Sequence, residues 1–142
     1  MSNPPFYHRL LKLFNPYGGS LYAKIGGKKT IDQLVDDFYQ IMATDPVARD
    51  CLLTHKQALT AVAPKLKDYL YGWLGGPQVF VKKYGHPRMR MRHIDIPISL
   101  KEAEQWVYCM KLALRKSSIE VETQDEILNA MKHLASIIIN QQ

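Results

Sequence analysis

The chain has 142 residues, 46% of them hydrophobic and 23% charged, which predicts one domain with a core of its own. No apolar run approaches the roughly 20 residues that span a bilayer, and the N-terminus lacks the apolar core of a secretory signal, so we expect a cytoplasmic protein without a membrane span. The formal net charge of +6 comes from dispersed lysines and arginines, a pattern more typical of a solvated surface than of a nucleic-acid interface.

Residues 1–19 form an N-terminal extension that prolines and the pair Gly18-Gly19 set apart. The segment FYHRLLKLF within it places Phe6 and Leu10 on one side of a short amphipathic helix. We predict that this helix packs on the domain, with weak membrane-surface binding as the alternative. The domain itself is predicted to span residues 20–142.

Caps and apolar periodicity predict the first two helices of the domain. Ser20 is a good N-cap for a brief helix, which Gly26-Gly27 ends. A capping box of Thr30 and Gln33 opens a longer helix, and Asp45-Pro46 stops it. Its apolar face is made by Ile31, Leu34, Val35, Phe38 and Met42.

The middle of the chain predicts a third helix after an irregular connection that contains His55. This helix is expected to begin between Thr60 and Ala63, because Pro64 is tolerated only in a first turn. The run Gly75-Gly76-Pro77 ends it, and residues 77–84 are expected to form another short helical piece.

Two strong helices are predicted to finish the chain. Ser99 with Glu102 forms a capping box for one, and Thr123 with Glu126 forms a capping box for the other. No segment requires a strand, so the fold is predicted to be all-α.

The stretch GHPRMRMRH, residues 85–93, has two interpretations. As a strand, it would alternate methionines with arginines and present one apolar and one basic face. As a helix with Pro87 in the first turn, it would place Met89 and His93 on one face. A lone histidine on such a face is more often a core residue than a metal ligand, so this segment alone leaves the question open.

Four polar side chains lie on the apolar faces or in the connections between them: Tyr39, His55, His93 and Trp106. Each alone is explained as a core residue, because aromatic side chains on helix faces usually fill cores. Several chemical motifs are absent, including GxSxG, the phosphate-binding GxxxxGK[ST], HExxH and any cysteine cluster.

Five segments occur together in an order and at a spacing that are specific. They are the turn Gly26-Gly27, the segment DFYQIM with Phe38 and Tyr39, the run GWLGGP at 72–77, the stretch GHPRMRMRH, and EAEQWVYCM with Trp106. In these features residues 20–138 resemble the group II, or O-type, truncated haemoglobins. The resemblance implies a two-over-two helical globin fold around haem b.

Carried over residue by residue, the resemblance implies that His93 is the proximal ligand of the haem iron. A neutral imidazole binds iron through one nitrogen, and the other is normally oriented by a hydrogen bond, which we expect to go to a nearby carbonyl. Tyr39 and Trp106 match the distal donors of the family. His55 matches a corner position that Tyr, His or Phe occupies, so it becomes a third candidate donor.

The resemblance also implies residues that contact the cofactor. Arg92 matches the residue that pairs with a haem propionate, with Lys83 as a candidate helper. Phe80 departs from the family, since many relatives carry a tyrosine there. The remaining candidate cofactor contacts are Phe38, Val62, Leu66, Tyr69 and Met89.

These assignments predict a protein that binds O2, CO, NO or peroxide tightly and releases diatomic ligands slowly. We therefore expect nitric oxide dioxygenation or peroxidase-like chemistry rather than O2 storage, with a reductase as partner and a monomer or weak dimer as the assembly. A haem-based sensor is the alternative, and a basic helical nucleic-acid-binding module ranks below it. In the unliganded state, His55 or Tyr39 is a candidate to ligate the iron.

Overall fold

The computed structural model describes residues 20–141, and within that range the chain forms α-helices, one 3-10 turn and no strand. The all-α prediction is confirmed. The α-helices are α1 (Leu21–Lys24), α2 (Gly27–Thr44), α3 (Arg49–Leu53), α4 (Leu59–Trp73), α5 (Val79–Tyr84), α6 (Met89–Arg92), α7 (Leu100–Lys116) and α8 (Val121–Ile138). The 3-10 turn, Pro46–Ala48, joins α2 to α3.

The four long helices form two layers of two. Helix α2 packs on α4, α7 packs on α8, and the contact between α2 and α7 joins the two pairs. Their apolar residues recur every three or four positions, so each helix turns one stripe inward. The centre is filled by fully buried side chains: Ile31, Phe38, Met42, Leu70, Met110, Leu114, Ile127 and Met131.

Two of the three predicted capping boxes do not start a helix. The Ser99–Glu102 box is present at the start of α7 and confirms that prediction. Helix α2 begins at Gly27 rather than Thr30, because Gly26 takes a left-handed backbone with φ of 109° as its N-cap. A Cβ at Gly26 would lie 2.2 Å from the Thr30 hydroxyl oxygen, so glycine is required there.

The third box was wrong for a different reason. Helix α8 begins at Val121, which places Thr123 inside the first turn, where it is buried.

Helix α4 begins at Leu59, so Pro64 lies in its second turn rather than its first. Pro64 has no N–H to donate to a carbonyl one turn back, and the helix continues without that bond.

The stretch 85–93 contains a helix, not a strand, but the helix is shorter than predicted. Pro87 lies outside it, and Arg88 is its N-cap with φ of 43°, the one positive φ of a non-glycine residue among residues 20–141. Helix α6 therefore has a single turn, and His93 is its C-cap.

The predicted helix of the N-terminal extension lies outside the described residues. Within the described part, no helix is long and apolar enough to cross a membrane.

Candidate functional site

A cavity of about 420 Å³ opens between the two helical layers, a volume in the lower part of the range that small-molecule sites occupy. All but two of the predicted site residues line it. Those that line it are Tyr39, His55, Val62, Leu66, Tyr69, Met89, Arg92, His93 and Trp106. The two exceptions are Phe38 and Lys83, which pack elsewhere.

His93 enters the cavity from the C-terminal end of α6. Its Nδ1 lies 2.6 Å from the carbonyl oxygen of Met89, one helical turn earlier. A carbonyl can only accept, so Nδ1 carries the proton of the neutral ring and Nε2 keeps its lone pair. The side chain therefore has the tautomer that a metal-binding imidazole requires, with the second nitrogen held as expected.

Tyr39 and Trp106 come from α2 and α7, and the ring of Phe38 separates them. The Phe38 centroid lies 4.8 Å from that of Tyr39 and 5.1 Å from that of Trp106, both in edge-to-face geometry. Phe38 is completely buried. It thus supports the two donors from behind and does not line the cavity.

The Tyr39 hydroxyl and the Trp106 indole N–H have no hydrogen-bond acceptor among the described residues. In that part of the chain, no fully buried side-chain nitrogen or oxygen lacks a partner, so both groups must lie at an accessible surface. The cavity is the surface that both residues line. Burial raises the pKa of Tyr39, and nearby Cys51 adds to the shift, so the phenol keeps its proton at neutral pH.

His55 lies in the connection after α3, with its ring perpendicular to that of Tyr39 and the centroids 6.1 Å apart. Its Nδ1 lies 3.0 Å from the carbonyl oxygen of Cys51 and therefore carries the proton. The neutral ring then has only a lone pair at Nε2. This differs from the donor role that the resemblance implied: neutral His55 accepts at Nε2, and only the imidazolium donates there.

Hydrogen bonds to backbone carbonyls already engage most of the Arg92 guanidinium, the group that the resemblance assigns to a haem propionate. Its Nη2 donates to the carbonyls of Tyr84 at 2.9 Å and His86 at 3.1 Å, and its Nε donates to the carbonyl of Pro87. The guanidinium also lies 5.1 Å from the centroid of the Phe80 ring. Only Nη1 has no acceptor among the described residues. A carboxylate would therefore bind that one nitrogen and would not form a bidentate pair with the guanidinium.

Lys83 does not reach the cavity lining. Its Nζ lies 3.0 Å from Asp68, a carboxylate that is largely buried, and this hydrogen bond raises the pKa of Lys83. The cations that line the cavity with Arg92 are instead Lys56 and Lys65. Lys65 follows Val62 by three positions on α4, and this spacing is a signal that could have identified it.

Phe80 is buried and lines the cavity. Its ring centroid lies 5.6 Å from that of Tyr69 and 4.9 Å from that of Tyr84. The departure from the family tyrosine therefore keeps the aromatic packing and removes only a hydroxyl.

Sequence reasoning missed most of the wall that α7, α8 and the segment before α7 contribute. These residues are apolar or small: Ile96, Ile98, Ala103, Leu134, Ala135 and Ile138. Leu134 and Ile138 lie one turn apart on α8 at apolar helical spacing, but periodicity does not separate a core contact from a cavity contact.

The residues of this cavity fit a haem. His93 and His55 each offer a lone pair at Nε2, apolar side chains supply walls for a flat macrocycle, and the donors of Tyr39 and Trp106 have no acceptor among residues 20–141. Lys65 and Arg92 also line the cavity, and they can meet carboxylates.

Comparisons with known proteins agree with this geometry. Residues 20–140 match the family described as bacterial-like globin. The chain is 33% identical over 115 residues to the group 2 truncated hemoglobin YjbI of Bacillus subtilis, an alignment that covers 81% of this chain and 85% of that protein.

Solved structures give the same result. A cold-adapted truncated hemoglobin from Pseudoalteromonas haloplanktis is 34% identical with a TM-score of 0.83, covering 87% of this chain and 99% of the other. A group II 2-on-2 hemoglobin from Agrobacterium tumefaciens is 36% identical with a TM-score of 0.84, covering 87% and 95%. The chain therefore belongs to the bacterial-like globin family and falls among its group II truncated haemoglobins.

Proposed function

We infer that this globin is a haem protein that binds small ligands such as O2, because membership in the family implies it. We propose that the cofactor is haem b, that His93 is its protein ligand, and that Tyr39 and Trp106 hold the small ligand on the other side. The observation that carries this proposal is that one cavity holds the His93 imidazole, with its available Nε2, and two donors that have no acceptor among the described residues.

Bound haem supplies an iron atom with a coordination position for a diatomic ligand or peroxide. The protein supplies orientation and hydrogen bonds around that position. A net hydrogen bond contributes about 0.5 to 1.5 kcal/mol, so two donors slow ligand release roughly 5- to 150-fold. Release this slow favours chemistry on the bound ligand over storage.

The proposed role is therefore nitric oxide dioxygenation or a peroxidase-like reaction. Both kinds of chemistry need an electron donor, so a separate reductase belongs to the proposal. Neutral His55 supports this role as an acceptor: its Nε2 can accept from an O–H of peroxide, which leaves the single hydroxyl proton of Tyr39, whose ring lies beside it, for the bound ligand.

The absorption spectrum of the purified full-length protein after addition of haemin tests the central assignment. We expect a strong, shifted Soret band in the wild type and its loss or displacement in His93→Ala, because that variant lacks the proposed ligand. His133→Ala is the matched control, since His133 is exposed on α8 and outside the cavity lining. A wild-type Soret band in His93→Ala would contradict the proposal.

A further inference from the structure

Gln105 joins α7 to the corner that carries His55, and no role at the cavity has been assigned to it. Its side-chain oxygen accepts a hydrogen bond from the backbone N–H of Cys51 at 2.8 Å. Its side-chain nitrogen donates to the carboxylate of Asp50 at 2.9 Å. Both partners lie at the start of α3, more than fifty residues away in the sequence.

These contacts replace a cap that α3 lacks. The first N–H groups of any helix have no acceptor within the helix, and a polar side chain at the N-cap normally supplies one. The N-cap of α3 is Ala48, which has no side-chain acceptor. Gln105 therefore supplies from a neighbouring helix the hydrogen bond that the local sequence does not provide.

The same corner sets the position of His55. The carbonyl of Cys51 accepts from His55 Nδ1 at 3.0 Å and from the Thr54 hydroxyl at 2.6 Å. Cys51 is thus fixed through its N–H by Gln105 and fixes His55 through its carbonyl. Gln105 also directly precedes Trp106 on α7. The same turn of helix therefore carries Trp106, which presents its N–H to the cavity, and Gln105, which supports the acceptor His55.

We propose that Gln105 is a positioning residue for His55. It holds Cys51 so that the His55 proton stays on Nδ1 and the Nε2 lone pair stays available to the cavity. This inference rests on the proposed function for the importance of His55, but the hydrogen bonds that carry it are independent of the cofactor.

The first test measures which nitrogen of His55 carries the proton. The imidazole nitrogen resonances of the full-length protein report this tautomer, both before haem is added and in the diamagnetic carbon monoxide complex. Gln105→Met removes both hydrogen bonds at nearly constant length, and we expect a mixture of tautomers. The double variant Q105E/D50N exchanges acceptor and donor, so it should restore the wild-type tautomer. Gln33→Met is the matched control, because it removes an exposed glutamine that donates to Asp37 on α2.

The second test is a double-mutant cycle on the rate of ligand dissociation. If Gln105 acts through His55, Gln105→Met changes the rate in the wild-type background but by less than about twofold in His55→Ala. An equal change in both backgrounds, or an unaltered His55 tautomer in Gln105→Met, would overturn the positioning role. Unchanged kinetics in His55→Ala would instead contradict the distal role of His55 in the proposed function, so the two failures are distinguishable.

Discussion

The two imidazoles of the cavity are oriented in the same way by two different kinds of scaffold. Both His55 and His93 hydrogen-bond through Nδ1 to the carbonyl four residues earlier. The corner that carries His55 packs on α7, and its Cys51 is buried. Helix α6, which carries His93, buries none of its residues.

Polar contacts replace burial on the His93 side. Arg92 binds three backbone carbonyls of the preceding loop. The Asn140 side chain donates to the carbonyls of His93 at 3.0 Å and Ile96 at 2.9 Å and accepts from the N–H of Ile98 at 2.9 Å. The segment that carries His93 is thus held by a few hydrogen bonds with little burial, whereas the corner that carries His55 combines hydrogen bonds with helix packing.

The largest effect is expected from Asn140→Ala, which would remove the side-chain hydrogen bonds between the segment that carries His93 and the residues after α8, while the backbone bonds to Ile98 remain. The N–H of Ile98, a buried residue, would lose its acceptor, which costs about 1 to 3 kcal/mol of folding free energy. Urea denaturation should show this loss, and transfer of haem to an acceptor globin should become faster. Asn129→Ala, at an exposed position of α8, is the control. Equal stability of the two variants would show that packing, not Asn140, holds this side.

A smaller effect is expected from the distal donors. Tyr39→Phe and Trp106→Phe should each speed carbon monoxide or oxygen dissociation by roughly 2- to 13-fold, the equivalent of one net hydrogen bond. Flash photolysis or stopped-flow mixing measures the rates. Tyr108→Phe is the control, because that hydroxyl donates to Asp45 at 2.6 Å and not into the cavity. Wild-type rates in both distal variants would contradict the donor assignment.

The smallest effect concerns acid. Hydrogen bonds from Tyr108 and from Gln105 hold the pKa values of Asp45 and Asp50 below the ordinary value, so these carboxylates stabilise the distal side fully above that value. The stabilisation is lost as pH falls through the lowered folded-state pKa values. The Asn140 amide, which holds the segment that carries His93, is not an ionisable group. The protection factor of the Cys51 amide, which compares its exchange rate with the intrinsic rate at the same pH, should therefore fall before that of the Ile98 amide as pH drops below about 4. A simultaneous fall of the two protection factors would contradict this prediction.

Much of the fold was predictable because its signals are local. The Ser99–Glu102 box and the stop at Asp45-Pro46 mark real helix ends. Thr30 and Thr123 were misread because a threonine three residues before Gln or Glu looks the same at a cap and inside a helix. Near Thr30, the left-handed backbone of Gly26 places the start of the helix earlier. Thr123 is buried inside the first turn of α8 and does not serve as its N-cap.

The residues of the candidate site also divide into those that local sequence motifs predicted and those that they did not. His93, Tyr39 and Trp106 stand in compact motifs, and these motifs carried the resemblance to group II truncated haemoglobins. Gln105 and Asn140 act on partners more than forty residues away, and such contacts leave no periodic trace in the sequence. The hydrogen bonds of Arg92 could not be predicted from the sequence either, because their acceptors are backbone carbonyls, which every residue has.

Phe38 gives the cavity a property that its polar residues do not determine. Because one buried ring touches both Tyr39 and Trp106, the separation of the two donors is fixed by the volume of a core side chain. A change of size at this position would retune the preference between ligands of different length while every polar group stayed in place. The donor arrangement proposed for this globin is therefore open to adaptation through its hydrophobic core.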